Sequence, residues 1–376
     1  MNGSDLKDLG RIINASETYT RLGGSRMKKE VREAMYAVSE NFYDMHKFSE
    51  LCCKRAAELT GNEAALIAPG AAACLMLASA ALILAHDSSL AEDLPDMPET
   101  ARNEILMFDG HYLDTTYYWH VSKAVGAKIV FAGKTVDEML TYVNERTAGV
   151  ILFPGKLYEG EDIPRCEESI PKLKAAGLLV AVDAAAQLPP VSNFTHYTKE
   201  LGADLVIFSG GKHIAGPQAS GLLLGRKDLV DLAKTVACPN DLVCRALKCG
   251  REEQAGLVKA LELFIEEGDE PRYQRQHNYL NYIMTKLRLD LAERYELRSE
   301  GRLGTYQPLL VMELPKGKTG KDCNDFTRSF DPAVDIGFYN SGRHDGDPQL
   351  MFINAYNLRE DELDYVADAV NAYLLS

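Results

Sequence analysis

Short aliphatic runs alternate with helix-forming stretches through most of this chain, and few folds accommodate that rhythm. The runs fall at 64–68, 104–108, 128–131, 148–153, 178–182 and 205–209. They are mostly continuous rather than alternating apolar and polar, as strands buried on both faces are. Between them lie segments of helical texture. A long apolar one opens at Gly70-Ala71-Ala72-Ala73, and others follow at 114–125, 136–145 and 166–176. Strand–helix alternation at this spacing predicts an α/β fold, a mainly parallel sheet with both faces covered. One interval breaks the rule. The loop between 205–209 and 221–224 is too short for a parallel crossover, so the second strand is expected to run antiparallel.

The flanks have a different texture. Residues 1–30 read as an N-terminal arm, rich in turn formers and hydroxyls around Asn14-Ala15-Ser16-Glu17-Thr18-Tyr19-Thr20-Arg21-Leu22-Gly23-Gly24-Ser25. Helical periodicity starts near Lys28 and runs to about Ala57, with a break at 41–46. The large domain is expected over 31–265. Two helices, 251–267 and 272–291, lead into a smaller α+β domain over 266–376. That domain has strands near 306–313 and 350–354 and a closing helix opened by Glu360.

Composition narrows the function. The formal charge of −14 disfavours a nucleic-acid partner, because phosphate backbones attract basic surfaces. The eight cysteines show no CxxC spacing and no His cluster beside them, so no metal site is expected. Free thiols in a chain of this size fit a reducing cytoplasm. The polar start carries no apolar signal segment, and the most apolar stretch, 74–85, is too short to span a bilayer.

The segment most informative about chemistry is Ser209-Gly210-Gly211-Lys212-His213, which ends one apolar run and precedes another. Glycines there let a ligand approach the backbone. A lysine at the mouth of an apolar sheet is partly desolvated, which lowers its pKa and frees its amine to attack an aldehyde. A surface lysine in a glycine loop is the plain alternative for this segment alone. Upstream, an aliphatic run ends in Asp183, placed either to pair with a protonated ring nitrogen or to cap a helix. Further upstream, Ala68-Pro69-Gly70-Ala71-Ala72 reads as a strand, a glycine turn and a helix start, whose free amides suit a phosphate. Taken in order, phosphate turn, strand-end aspartate and strand-end lysine form one pattern.

That pattern resembles the fold-type I pyridoxal-phosphate enzymes. Four stretches carry a nearer resemblance, to the selenocysteine-synthase-like group that includes the D-glucosaminate-6-phosphate ammonia-lyases. They are 14–25, 60–73, 182–190 and 209–218. The resemblance implies a pyridoxal 5'-phosphate cofactor held as a Schiff base on Lys212, with Asp183 on the pyridine nitrogen. It implies phosphate contacts from Gly70, Ala71, Ala72 and Ser209 and ring stacking by His111. Gln187 is expected to reach the phenolic oxygen, and Gln218 to face a neighbouring subunit, since these enzymes assemble at least as homodimers.

Arg21, Arg245 and Arg343 are the candidates for greeting an anionic substrate, because each sits among turn residues and bidentate arginine suits carboxylate and phosphate. Two positions depart from the group. Glu17 stands where glycine is usual, as a further candidate substrate contact, and His213 stands where an apolar residue is usual. The implied reaction is an α,β-elimination releasing ammonia from a small amino acid or amino-sugar acid such as D-glucosaminate 6-phosphate. Selenium transfer to seryl-tRNA, an aminotransferase or a racemase would use the same cofactor contacts. A desulfurase using Cys323 is disfavoured by its acidic neighbours, which blunt a thiol. A non-catalytic cofactor-binding protein is disfavoured by the intact Lys212 and Asp183.

Overall fold

A computed structural model describes residues 9–111, 117–155, 163–339 and 346–376. Two compact units divide the chain, one formed by 25–266 and the other by 1–24 with 267–376. The strands run β1 (Ile12–Ala15), β2 (Ala64–Ala68), β3 (Glu104–Met107), β4 (Lys128–Phe131), β5 (Thr147–Leu152) and β6 (Val180–Asp183). They continue through β7 (Leu205–Ser209), β8 (Gly221–Gly225), β9 (Arg294–Arg298), β10 (Leu309–Glu313), β11 (Ala333–Phe338) and β12 (Leu350–Ile353).

Unit 25–266 holds one sheet in the order β2-β8-β7-β6-β5-β3-β4. Its pairs are parallel except at β8, which runs antiparallel to both β7 and β2. The expected exception therefore lies where the short loop requires it. Strands such as Leu222–Leu224 and Val180–Val182 are buried on both faces because helices cover both sides of the sheet. Helix α1 (Lys29–Ser39) and helix α2 (Met45–Thr60) precede the sheet. Helix α3 (Ala71–Leu84) is apolar almost all round, and from Ala73 onward nearly every side chain is buried. A helix of that composition is stable only when enclosed, here between the sheet and helix α4 (Lys227–Val236). Residues 117–125 form 3₁₀ turns rather than the expected α-helix, whose first residues, 114–116, lie outside the described residues. Helix α5 (Arg251–Glu267) closes the unit.

The other unit has a sheet ordered β1-β11-β12-β10-β9. Its helices are α6 (Asp269–Lys286), α7 (Gly320–Thr327) and α8 (Leu363–Leu375). Their apolar faces meet the sheet in a core that includes Leu280, Ile283, Leu310, Val334, Ile336, Val366 and Val370. Part of the segment read as an arm is thus a strand, for β1 pairs in parallel with β11, matching Asn14 to Asp335. Four residues with one polar member gave no periodic signal, and the partner that makes them a strand lies far along the chain.

Candidate active site

Sheet register gathers the chemistry at one edge. Ala68, Gly221 and Ser209 share a row across β2, β8 and β7, and Asp183 pairs with Ile207 on the next strand. Ser209 and Asp183 are therefore both last residues of parallel strands. Open α/β sheets bind ligands beyond those carboxyl ends.

Gly70 makes the turn from β2 into helix α3 with φ +116° and ψ 165°, a conformation that L side chains rarely adopt. Gly221 presses against it, and a Cβ there would lie 2.5 Å from the Gly70 carbonyl carbon. Backbone is thus packed on backbone at the helix start. No side chain caps the helix there, so the amides of its first turn are donors without helical partners. Together with the helix dipole they favour an anion.

Asp183 receives one backbone hydrogen bond, from Ala185 N to Oδ1 at 3.1 Å. It is surrounded by protein yet keeps some accessible surface, as a group on a recess wall does. Burial pushes its carboxyl up to about 6, while the Ala185 amide and the charge of Lys212 pull the other way. Lys212 therefore lies near enough for Asp183 to feel it. The lysine loop is tightly bonded: Gly210 N donates to Ser220 O at 2.9 Å, Gly216 N to Gly210 O at 2.8 Å, and Ala215 N to Lys212 O at 2.9 Å. Ala215 adopts φ +57°, unusual for a residue with a side chain.

His111 is buried between Phe108 and Phe153, with ring centroids at 5.9 and 5.3 Å. Burial lowers its pKa to about 3, so the ring is neutral, although the Phe153 backbone lies close enough to oppose this weakly. Neither ring nitrogen makes a hydrogen bond of normal geometry among the described residues. Gln187 is tied to the same strand exit, its Nε2 donating to Pro154 O at 3.1 Å. His111 and Gln187 thus meet around Phe153 and Pro154. His213 is buried next to Lys212, and Gln218 is exposed on the same loop.

The candidate substrate contacts are placed as follows. Arg21 is paired with the buried Asp335, at 3.1 and 3.3 Å, and lies over the Tyr19 ring at 4.9 Å. Glu17 accepts from Asn354 Nδ2 at 3.2 Å. Tyr19 beside it takes Arg302 Nη1 on its hydroxyl at 3.2 Å, and burial pushes its pKa up to about 12. Arg245 is exposed and engaged by Asp241 at 3.1 Å. Arg343 lies outside the described residues. Cys323 is buried and its thiol is pushed up to about 12, far from the thiolate that nucleophilic sulfur requires.

These features suit a phosphorylated pyridine aldehyde. The helix start offers anion donors. The buried, under-compensated carboxyl of Asp183 offers a seat for a pyridinium, and Lys212 offers an amine. The neutral His111 ring is enclosed beside Phe108 and Phe153.

Comparison with known proteins agrees with this chemistry. Residues 109–243 match the class-V aminotransferase family. D-glucosaminate-6-phosphate ammonia lyase from Salmonella typhimurium is 30% identical over 261 residues, 68% of each chain. L-seryl-tRNA(Sec) selenium transferase from Clostridium botulinum is 27% identical over 68% of this chain, which spans only 57% of that longer protein. The solved structure of a D-glucosaminate-6-phosphate ammonia-lyase superposes over the whole of both chains, with a TM-score of 0.79 at 22% identity.

Proposed function

Because the chain belongs to the D-glucosaminate-6-phosphate ammonia-lyase family of pyridoxal-phosphate-dependent enzymes, we propose that it releases ammonia from a small anionic amino acid or amino-sugar acid, D-glucosaminate 6-phosphate being the first candidate. The observation that carries the reading is the enclosed Asp183 carboxyl at the end of β6, with Lys212, just past the end of the neighbouring β7, close enough to act on its charge. When bound, the cofactor supplies an electron sink for negative charge at the substrate's Cα.

The chain's own residues do the rest. The amides of Ala71 and Ala72, with Gly70 and the Ser209 hydroxyl, would hold the phosphate. Asp183 would hold the ring nitrogen. A cation placed against that carboxyl lowers its pKa from about 6, so the pair is ionised at neutral pH. His111, neutral at neutral pH, would lie against the ring without adding charge to it. Lys212 would hold the aldehyde and then, displaced by the substrate amine, take the Cα proton through Nζ. Glu17 and the arginines Arg21, Arg245 and Arg343 remain our candidates for substrate recognition. Loss of the β-hydroxyl as water, and return of water in hydrolysis of the released enamine, balance the conversion to a 2-keto acid and ammonia.

We read the enzyme as cytoplasmic on the strength of its eight free cysteines, and as a homo-oligomer. No helix among the described residues is long and apolar enough to cross a membrane. The assembly reading is supported by the exposed Tyr36, Phe42 and Leu51 on and between helices α1 and α2, with Phe42 97% exposed.

The test is a panel of amino-sugar acids and hydroxy amino acids, assayed for ammonia and 2-keto acid without added keto acid. Equal release of both products, reduced at least ~1,000-fold in Lys212→Ala, is the expected result. Amino-group exchange with an added keto acid, without ammonia, would replace the lyase by an aminotransferase.

A further inference from the structure

Gly210 and Gly211 give the lysine loop the greatest backbone freedom of any sequence, yet the base of Lys212 must be fixed if its amine is to find one aldehyde and one proton. Ser25, the first residue of unit 25–266, adds a restraint from outside the loop to the loop's own hydrogen bonds. Its backbone N donates to Gly211 O at 3.1 Å. Its hydroxyl lies 2.6 Å from Lys212 O and 3.0 Å from Gly211 O. A serine hydroxyl has one proton to give, and the shorter contact assigns it to Lys212. Lys212 O also accepts from Ala215 N at 2.9 Å, so both its lone pairs are used.

We propose that Ser25 is a positioning residue for Lys212, clamping two consecutive carbonyls so that the peptide planes on either side of the lysine are fixed and its side chain springs from one direction. The clamp reaches the lysine loop from a part of the chain 187 residues away in sequence, so it forms only when the N-terminal segment is in place. The inference rests on Lys212 being the cofactor lysine, and the experiment keeps the two claims apart.

Amide hydrogen exchange on cofactor-free Ser25→Ala reads the clamp directly. Amides 210–216 are expected to exchange about fivefold faster, the equilibrium worth of one ordinary hydrogen bond, while the core strands keep their protection. In the loaded enzyme kcat is expected to fall about tenfold with KM within about twofold, as a small misplacement of a reacting group does. Ser25→Thr, which keeps the hydroxyl, should restore both. Unchanged protection at 210–216, loosening spread over the whole unit, or a kcat loss that threonine does not repair would each overturn the proposal. Full activity in Lys212→Ala would instead refute the lysine's role and leave the exchange result standing.

Discussion

Among the carboxylates this protein encloses, Asp335 in one unit and Asp183 in the other have opposite surroundings. Asp335, on β11, is 0% exposed. It is met by Arg21 at 3.1 Å, by Arg328, and by the Ser16 hydroxyl at 2.6 Å. Asp183, on β6, has one backbone amide at 3.1 Å and no arginine beside it among the described residues. A buried charge with full compensation ties elements together, here β1, the turn after it and helix α7 to β11. A buried carboxyl without it carries an unmet demand, which a cationic ligand can satisfy. The same residue type is architecture in one place and, on our proposal, a ligand contact in the other.

The contrast can be broken from either side. Asp335→Asn should have the largest effect on stability. Removing the charge leaves two guanidiniums facing a neutral amide, and we expect a loss of about 4 kcal/mol. Denaturant midpoints followed at the C-terminal unit would show it. A loss below about 1 kcal/mol would mean that the cluster is solvated and holds little together.

Asp183→Asn should do the reverse. Its folded pKa is about 6 against an ordinary 3.8, so the native state disfavours the ionised form. The penalty is absent below about pH 4, grows between 4 and 6, and is complete above 6. Relieving it should stabilise the cofactor-free protein by about 3 kcal/mol at pH 7. The same change should lower kcat about 100-fold, because a neutral amide cannot hold a ring nitrogen in its charged state. Thermal melts with and without cofactor, read beside turnover, test both halves. A variant that is less stable without cofactor would place Asp183 with Asp335 as a structural group.

His111→Phe gives the smallest and most pH-dependent change. The folded pKa near 3 lies below the ordinary 6.5, so above pH 6.5 the protonation penalty is absent. Stability then falls as pH drops from 6.5 towards 3. At pH 5 the penalty is about 2 kcal/mol. Phenylalanine should remove that slope in the cofactor-free protein and leave pH 7 stability within about 1 kcal/mol. Urea midpoints at pH 5 and pH 7 decide it, and an unchanged slope would show that His111 is not the titrating group.

The sheet of unit 25–266 was legible because its strands are buried on both faces. Residues 64–68 and 205–209 need no partner information to read as strands. The antiparallel β8 was legible from loop length alone. Asp183 was legible as a strand-end residue and Lys212 as lying beyond the next strand, in a recognisable order. Strand β1 was not, because Ile12–Ala15 becomes a strand only through pairing with Ala333–Ile336. Arg21 read as a free arginine among turn residues, while the carboxylate that engages it lies on β11. Ser25 carried the right chemistry at the end of a quoted stretch, but nothing in its neighbourhood names the carbonyls it holds.

What the sequence determined by itself is therefore local. Apolar runs, glycine turns and the positions of Lys212, Asp183 and Gly70 follow from side-chain periodicity and backbone sterics, which act within a few residues. What the tertiary structure decided is compensation. Whether a buried carboxylate meets two arginines or one amide, and whether a loop carbonyl meets a hydroxyl from 187 residues away, depends on which distant segments pack together. Electrostatic and hydrogen-bond energies act over a few ångströms of space, whatever the distance along the chain.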